Sequence, residues 1–165
     1  MNEDPLPPIA RSPFGEIFDA MGRSANGGIV LPRCGDCGAW IYPVQNFCRR
    51  CLGENLHEER IAEALGTLVS WTRLQTSLEP WFRDRMPWDI GLVRLDAGPN
   101  VIAHLGEGLE RRIGERARVV TVKDAADRCV FVALDPSRDV PGGRTLMLED
   151  FVVAASPMTR DEAAD

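Results

Sequence analysis

Cys34-Gly35-Asp36-Cys37 and Cys48-Arg49-Arg50-Cys51, separated by the ten residues Gly38 to Phe47, decide how this chain reads. Two C-x-x-C pairs bring four thiolates within reach of one ion. The usual occupant of a closed four-cysteine tetrahedral set is zinc in a structural role. Rubredoxin-type iron uses the same two knuckles, so the metal expected is zinc, with iron as the alternative. A glycine follows each knuckle, Gly38 directly and Gly53 one residue later, which suits the left-handed backbone that ends such a turn. Gly38 to Phe47 has the length of a short hairpin, and its Trp40, Ile41, Tyr42 and Phe47 are expected to screen the metal from water. A thioredoxin-like C-x-x-C would need one pair beside a βαβ unit, and here there are two pairs and no such unit. The unit reads as a zinc ribbon in which Cys34, Cys37, Cys48 and Cys51 hold the metal, and the metal folds a module too small for a core of its own.

Upstream, Ser12-Pro13 offers a cap and a proline at the first helical position, and Phe14, Ile17, Phe18 and Met21 fall on one stripe. One amphipathic helix is predicted, its apolar face packed on this chain or on a partner. Asn26-Gly27-Gly28 ends it, and Ile29 to Arg33 lead extended into the first knuckle.

Downstream the period changes to two. Strands are predicted at 66–74, 89–95, 101–105, 117–122 and 130–134, separated by turn-forming clusters and without helical crossovers. Five short strands of this kind point to an antiparallel barrel of the OB type. The fold class is thus mainly β: an N-terminal helical segment over 1–28, a four-cysteine ribbon over 29–64, a five-stranded OB-fold over 65–135 and an extension over 136–165. In the extension, Leu146 to Val153 is too apolar to lie free in water, whereas Met158 to Asp165 is expected to be disordered.

The stretch Gln75 to Trp88 is long for a connection in so small a fold. Trp81, Phe82, Arg83, Arg85 and Trp88 within it suit a binding surface, since aromatic anchors and guanidinium groups gather at interaction sites. Capping of the open barrel end by the same aromatics explains them equally well. Cys129 reads as a buried structural thiol, His57 as a surface residue and His104 as a strand-face residue.

Composition narrows the function. The chain has 165 residues, room for a small module beside one compact domain and too few for two full-sized enzyme domains. A net charge of −6 argues against a dedicated nucleic-acid binder, which needs a basic face. Its acidic excess lies in the flanks, because residues 65–135 carry ten basic and ten acidic groups. No apolar run reaches the length of a membrane span, and Met1-Asn2-Glu3-Asp4-Pro5 lacks the features of a signal peptide, so a cytoplasmic protein is expected. No Ser/His/Asp set, carboxylate pair or phosphate loop stands out, and no catalytic residue is expected.

Taken together, Gly27-Gly28-Ile29-Val30-Leu31-Pro32-Arg33-Cys34, Tyr42-Pro43, the second knuckle, Gly66-Thr67-Leu68-Val69-Ser70-Trp71-Thr72, Gly91-Leu92-Val93-Arg94-Leu95-Asp96 and Ile113-Gly114 resemble the acyl-CoA-associated OB-fold proteins with a rubredoxin-like zinc ribbon. That family was long catalogued as a domain of unknown function. The likeness covers roughly residues 13–135 and departs where Pro43-Val44-Gln45-Asn46-Phe47 replaces a proline-arginine element and where Arg49 stands in place of a common proline. It implies an accessory, non-catalytic or co-catalytic subunit in a hetero-oligomer with a thiolase-like catalytic subunit, a thiolase, acyltransferase or aldolase acting on CoA thioesters. The structural zinc would sit in this chain and the acyl-CoA would be contacted as substrate, with Arg83 or Arg85 on its phosphates. The competing expectation is a single-stranded nucleic-acid binder, since ribbons and OB barrels recur in that machinery; its stacking platform would have only Trp71 and Phe131 to draw on.

Overall fold

The structure, a computed structural model, describes residues 12–152. Helix α1 (Pro13–Gly22) starts where the sequence places it, with the Ser12 hydroxyl accepting from the Gly15 amide at 3.1 Å. Its apolar stripe is split. Met21 is buried and Phe18 packs edge-on against Phe131 at 5.0 Å, whereas Phe14 and Ile17 stay 44% and 46% exposed.

Strand β1 (Ile29–Cys34) pairs antiparallel with β2 (Leu56–Ile61), from Ile29 opposite Ile61 to Cys34 opposite Leu56. The sheet of the ribbon is therefore built from the segments flanking the two knuckles, and the hairpin expected inside 38–47 does not form. That stretch keeps one isolated bridge, Arg33 to Trp40, and one further bond, the Ile41 amide on the Pro32 carbonyl at 2.9 Å. Pro43 has no N–H to continue a ladder. Trp40 and Tyr42 turn instead onto the neighbouring barrel.

Strands β3 (Ala64–Leu74), β4 (Trp88–Leu95), β5 (Asn100–Leu105), β6 (Arg116–Lys123) and β7 (Cys129–Leu134) close into a barrel in the order β3-β4-β5-β7-β6. All five expected strands form, each a residue or two longer than its period-two pattern. Neighbours are antiparallel except β5 and β7, whose parallel pairing is confined to His104 with Val132 and Leu105 with Ala133. β3 serves both ends of the closure: its first residues pair with β6, most of its length pairs with β4, and a bulge between Leu68 and Ser70 bends it from one to the other.

The barrel interior is filled by Leu68, Val93, Val101, Leu105, Ala117, Val119 and Phe131, and Ile29 and Leu31 of β1 belong to the same cluster. The ribbon sheet thus lies over one end of the barrel and completes its core. Each of these two fully buried side chains contributes about 1.5–3 kcal/mol in the hydrophobic bookkeeping. The C-terminal extension covers the outer face of the barrel wall, where Leu146, Leu148, Phe151 and Val152 are buried against Trp88, Val120 and Leu134, positions that alternate with the inward-facing residues. Val153 and the Met158–Asp165 segment lie outside the described residues.

Candidate metal centre

The four thiols of Cys34, Cys37, Cys48 and Cys51 all lie within 4.8 Å of one another. Across the two knuckles, Cys34 Sγ is 3.5 Å from Cys51 Sγ and Cys37 Sγ is 3.6 Å from Cys48 Sγ. A tetrahedral zinc with Zn–S near 2.3 Å needs S···S separations of about 3.8 Å, so the cluster needs only slight adjustment to hold the ion. These separations are far longer than the roughly 2 Å of a disulfide. Among the described residues this is the one group of three or more cysteine, histidine or acidic side chains arranged for a metal.

The two knuckles repeat one backbone pattern. The Gly38 amide donates to the Cys34 carbonyl at 2.9 Å and the Leu52 amide to the Cys48 carbonyl at 2.8 Å; the Cys34 and Cys48 amides donate forward to Ala39 and Gly53. Gly38 takes the left-handed conformation expected of it (φ 73°), but in the second knuckle Leu52 takes it (φ 64°) and not Gly53. Gly53 is favoured for a different reason: a Cβ there would stand 2.3 Å from Asp36 Oδ2 and 3.3 Å from Cys51 Sγ, so Asp36 would have to turn away and give up its bond to Asn55. Asp36 is held by the Asn55 amide group at 3.1 Å.

Backbone donors aimed at sulfur tune the thiols. The Cys51 amide, opposed by desolvation and helped by the Arg50 amide 3.4 Å from the sulfur, draws the Cys48 thiol down to about 7. At Cys51 the Gly53 amide pulls the same way, but crowding by Cys34 and desolvation outweigh it and push the thiol up to about 12. Of the aromatics expected to screen the site, none packs with the thiols. Ile41 does so with Cys34 and Cys48, alongside Ala39 and Leu56. Trp40 and Tyr42 face the barrel core, and Phe47 is 40% exposed.

The five residues singled out in the 75–88 segment separate. Trp88 opens β4 and is buried, so the surface does not present it. Trp81 and Phe82, on the short helix α2 (Pro80–Arg83), are half-buried against it, with ring centroids 5.8 and 5.2 Å from Trp88. The aromatics therefore serve the barrel wall, and the segment is fastened by Arg128, which bridges Glu79 and the buried Asp124. The Arg85 guanidinium lies over the Trp81 ring at 4.1 Å and donates to the Trp81 carbonyl at 2.9 Å, while Arg83 is exposed. Cys129 is buried, with its amide on Asp19 Oδ1 at 2.8 Å, and His57 lies at the surface beside Glu59.

Two polar arrangements escape a sequence reading. Asp89, buried in β4, accepts from Arg73 Nε and Nη2 at 2.8 and 3.1 Å and from Arg111 Nε at 3.0 Å. Arg111 also donates to the carbonyls of Leu105, Gly106 and Leu109, so one carboxylate ties β3 and β4 to the turn after β5. Desolvation opposes the Asp89 charge, but the two guanidinium groups prevail and hold its carboxyl below the usual range. The second arrangement is His104, whose Nδ1 accepts from Trp88 Nε1 at 2.8 Å while its ring stacks on Phe82 at 5.6 Å.

Comparison with known proteins agrees with this geometry. Residues 25–57 match the family model of the ChsH2 rubredoxin-like zinc ribbon domain, and residues 60–122 match that of the ChsH2 C-terminal OB-fold domain. Among solved structures, the chain is similar to one described as an Ltp2-ChsH2(DUF35) aldolase, with 20% identity and a TM-score of 0.60 over 78% of this chain and 97% of that one. It is also similar to a protein of unknown function from the DUF35 family of Sulfolobus solfataricus, with 17% identity and a TM-score of 0.46 over 74% and 87% of the two chains. At 20% identity the likeness to the first of these is one of fold. No curated protein matches the chain. Two consecutive domains of one family, ribbon then barrel, with all four thiols inside the first, make this chain a member of the ChsH2-type family of zinc-ribbon and OB-fold proteins.

Proposed function

We propose that this chain is the accessory subunit of a two-protein enzyme, of aldolase or thiolase type, that cleaves or forms carbon–carbon bonds in acyl-CoA thioesters. The observation that carries the reading is the succession of both ChsH2 domains along one chain. In this reading the thiolase-like partner supplies the nucleophile and the base. The present chain stabilises the partner and helps hold the thioester, as a soluble cytoplasmic hetero-oligomer in which reducing conditions keep the knuckle thiols free for metal. No helix among the described residues is long and apolar enough to cross a membrane.

Zinc is the proposed ion, held by Cys34, Cys37, Cys48 and Cys51. Four thiolates leave no open coordination position, so its part is to fix the ribbon and not to activate substrate. The partner face is expected to include the exposed Phe14 and Ile17 of α1 and Leu78 beside α2. Trp81, Phe82, Arg83 and Arg85 border that segment, and Arg83 or Arg85, both exposed, would meet a CoA phosphate. The nucleic-acid reading has less support, because Phe131, one of the two aromatics it would draw on, is buried.

Co-expression with a thiolase-like protein tests the proposal. The two chains are expected to co-purify with one zinc per copy of this chain by elemental analysis, and the partner's cleavage of its thioester is expected to collapse without it. A partner that works at full rate alone overturns the reading.

A further inference from the structure

A groove of about 380 Å³ runs along the barrel wall where α1, the segment after the first knuckle and strands β5 and β7 meet. It lies beside the weakest part of the closure, since β5 and β7 pair only at His104 with Val132 and Leu105 with Ala133. Its lining is mainly hydrocarbon and aromatic, with Phe14 and Phe18 from the helix, Tyr42 and Val44 from the ribbon and Ile102 and Phe131 from the barrel, and Ser12 at its rim. Ile102 is 57% exposed and Phe14 44%, so the groove opens to solvent at one side while Phe18, Tyr42 and Phe131 form its inner wall.

Two hydrogen-bonding rings stand in this surface, Tyr42, whose hydroxyl is engaged with the Ile102 backbone, and His104. Ile102 and His104 alternate with the inward Val101, Ala103 and Leu105 and so share the outer face of β5. Because His104 Nδ1 accepts the Trp88 indole proton, the neutral imidazole carries its own proton on Nε2, and no hydrogen bond within the described residues uses that atom. Burial pulls this histidine down to about 4, so at neutral pH the groove contains a neutral donor and not a cation. Trp88 and the stacked Phe82 fix the ring's plane.

An apolar concavity with one oriented donor is the usual form of a small-molecule site, and this volume sits at the low end of the roughly 300–1,000 Å³ such sites span. We propose that the groove binds the uncharged acyl portion of a thioester, its carbonyl oxygen accepting from His104 Nε2–H and its chain lying against Phe14, Phe18, Ile102 and Phe131. The choice of a thioester among uncharged apolar ligands with a carbonyl rests on the function proposed above; the groove and its donor do not. A neutral donor suits a carbonyl and gives a carboxylate no charge to pair with, and the open side leaves room for a large polar head outside.

The test uses the full chain and two synthetic probes, the decanoyl thioester of N-acetylcysteamine and its S-decyl thioether, which lacks the thioester carbonyl. Amide and indole NMR shifts on titration are expected to move at Ile102, Val130 and the Trp88 indole, with the thioester bound several-fold more tightly than the thioether. In His104→Asn, whose side-chain oxygen replaces Nδ1 as the acceptor for Trp88, the preference should vanish while thioether binding persists. Ile102→Asp, at an exposed position on the outer face of β5, should weaken both probes at least tenfold while far-UV circular dichroism stays that of the parent chain. Equal affinity of both probes in the parent chain overturns the hydrogen bond. Shifts confined to another surface, or none at all, overturn the groove, and so does displacement of the probes by a peptide of residues 1–11, which would make the groove a seat for the chain's own N-terminus. Any of these with co-purification intact leaves the subunit reading standing. Probe binding as expected together with failure of any thiolase-like protein to co-purify overturns that reading and leaves the groove.

Discussion

The ribbon and the barrel are held by different physics. The barrel buries a contiguous hydrocarbon interior and closes its own strand edges, whereas the ribbon has a two-stranded sheet, a half-exposed outer face on β2 and four sulfurs. A two-stranded sheet of this size is marginal in water without a further constraint. Yet the two share a seam, because Ile29 and Leu31 lie in the ribbon's sheet and in the barrel's core at once. The lesson is one-directional: the barrel has its own means of cohesion, and the ribbon borrows from the metal and from the barrel.

The largest effect that would test this contrast is removal of the metal. Structural zinc is worth on the order of 10–16 kcal/mol to such modules, so a strong chelator, or Cys34→Ser, should abolish amide protection in β1 and β2. Hydrogen exchange should show the barrel strands still protected but melting at lower temperature, since the seam residues lose their fixed positions. A barrel whose melting temperature does not move would break the idea of a shared core.

Next comes Asp89, whose loss strands two guanidinium groups. Asp89→Asn should cost about 3–5 kcal/mol in denaturant titrations, with the ribbon's metal content unchanged. A cost below 1 kcal/mol would mean that solvent reaches Arg73 and Arg111 more freely than their geometry suggests.

Acid should act on the barrel before the carboxylates protonate. His104, drawn to about 4 by burial, is neutral in both states above about pH 6.5. As pH falls through 6.5 toward 4, the unfolded chain takes up a proton that the native ring refuses, so stability declines by about 3 kcal/mol across that window. The Asp89 contribution has the opposite origin. Its lowered value stabilises the fold above about pH 4 and is lost only as pH falls through the native value below that. His104→Asn should flatten the first window alone, and a profile that stays sloped there in the variant would refute the assignment.

The smallest effects sharpen the picture of the knuckles. Leu52 is 73% exposed in a left-handed conformation, so Leu52→Gly should be neutral or stabilising by up to about 1 kcal/mol. Gly53→Ala should be harmful, because its Cβ would meet Asp36. Thermal melts of the zinc-loaded protein distinguish the two, and equal outcomes would remove the difference drawn between them.

The barrel was legible because its strands alternate strictly, as in Val101-Ile102-Ala103-His104-Leu105, and the thiols were legible because ligand spacing is local. β2 was not, since Leu56-His57-Glu58-Glu59-Arg60-Ile61 has apolar residues only at its ends and one face in water. The absent hairpin misled for a related reason: Trp40 and Tyr42 have the composition of a strand, but their partner surface lies in the barrel and not in the ribbon. Trp88 and Trp81 lie close in the chain, but Trp88 opens a strand and is buried, whereas Trp81 on α2 is only half-buried against it. Asp89 with Arg73 and Arg111, and Trp88 with His104, are joined across separations of 16 to 22 residues. Such pairs exist only once the register is known, and no spacing rule reaches them.

The short parallel contact between β5 and β7 also bears on how the chain assembles. Every other junction of the barrel is a longer antiparallel ladder, and two of them, β4 with β5 and β6 with β7, join consecutive strands through short turns. The junction of His104 and Leu105 with Val132 and Ala133 must wait until the intervening β6 is in place, and it gains least per residue fixed. It should be the last contact to form during folding and the first to part in native fluctuations, giving the Gly106 amide, bonded to the Ala133 carbonyl, the fastest exchange among the barrel's inter-strand bonds.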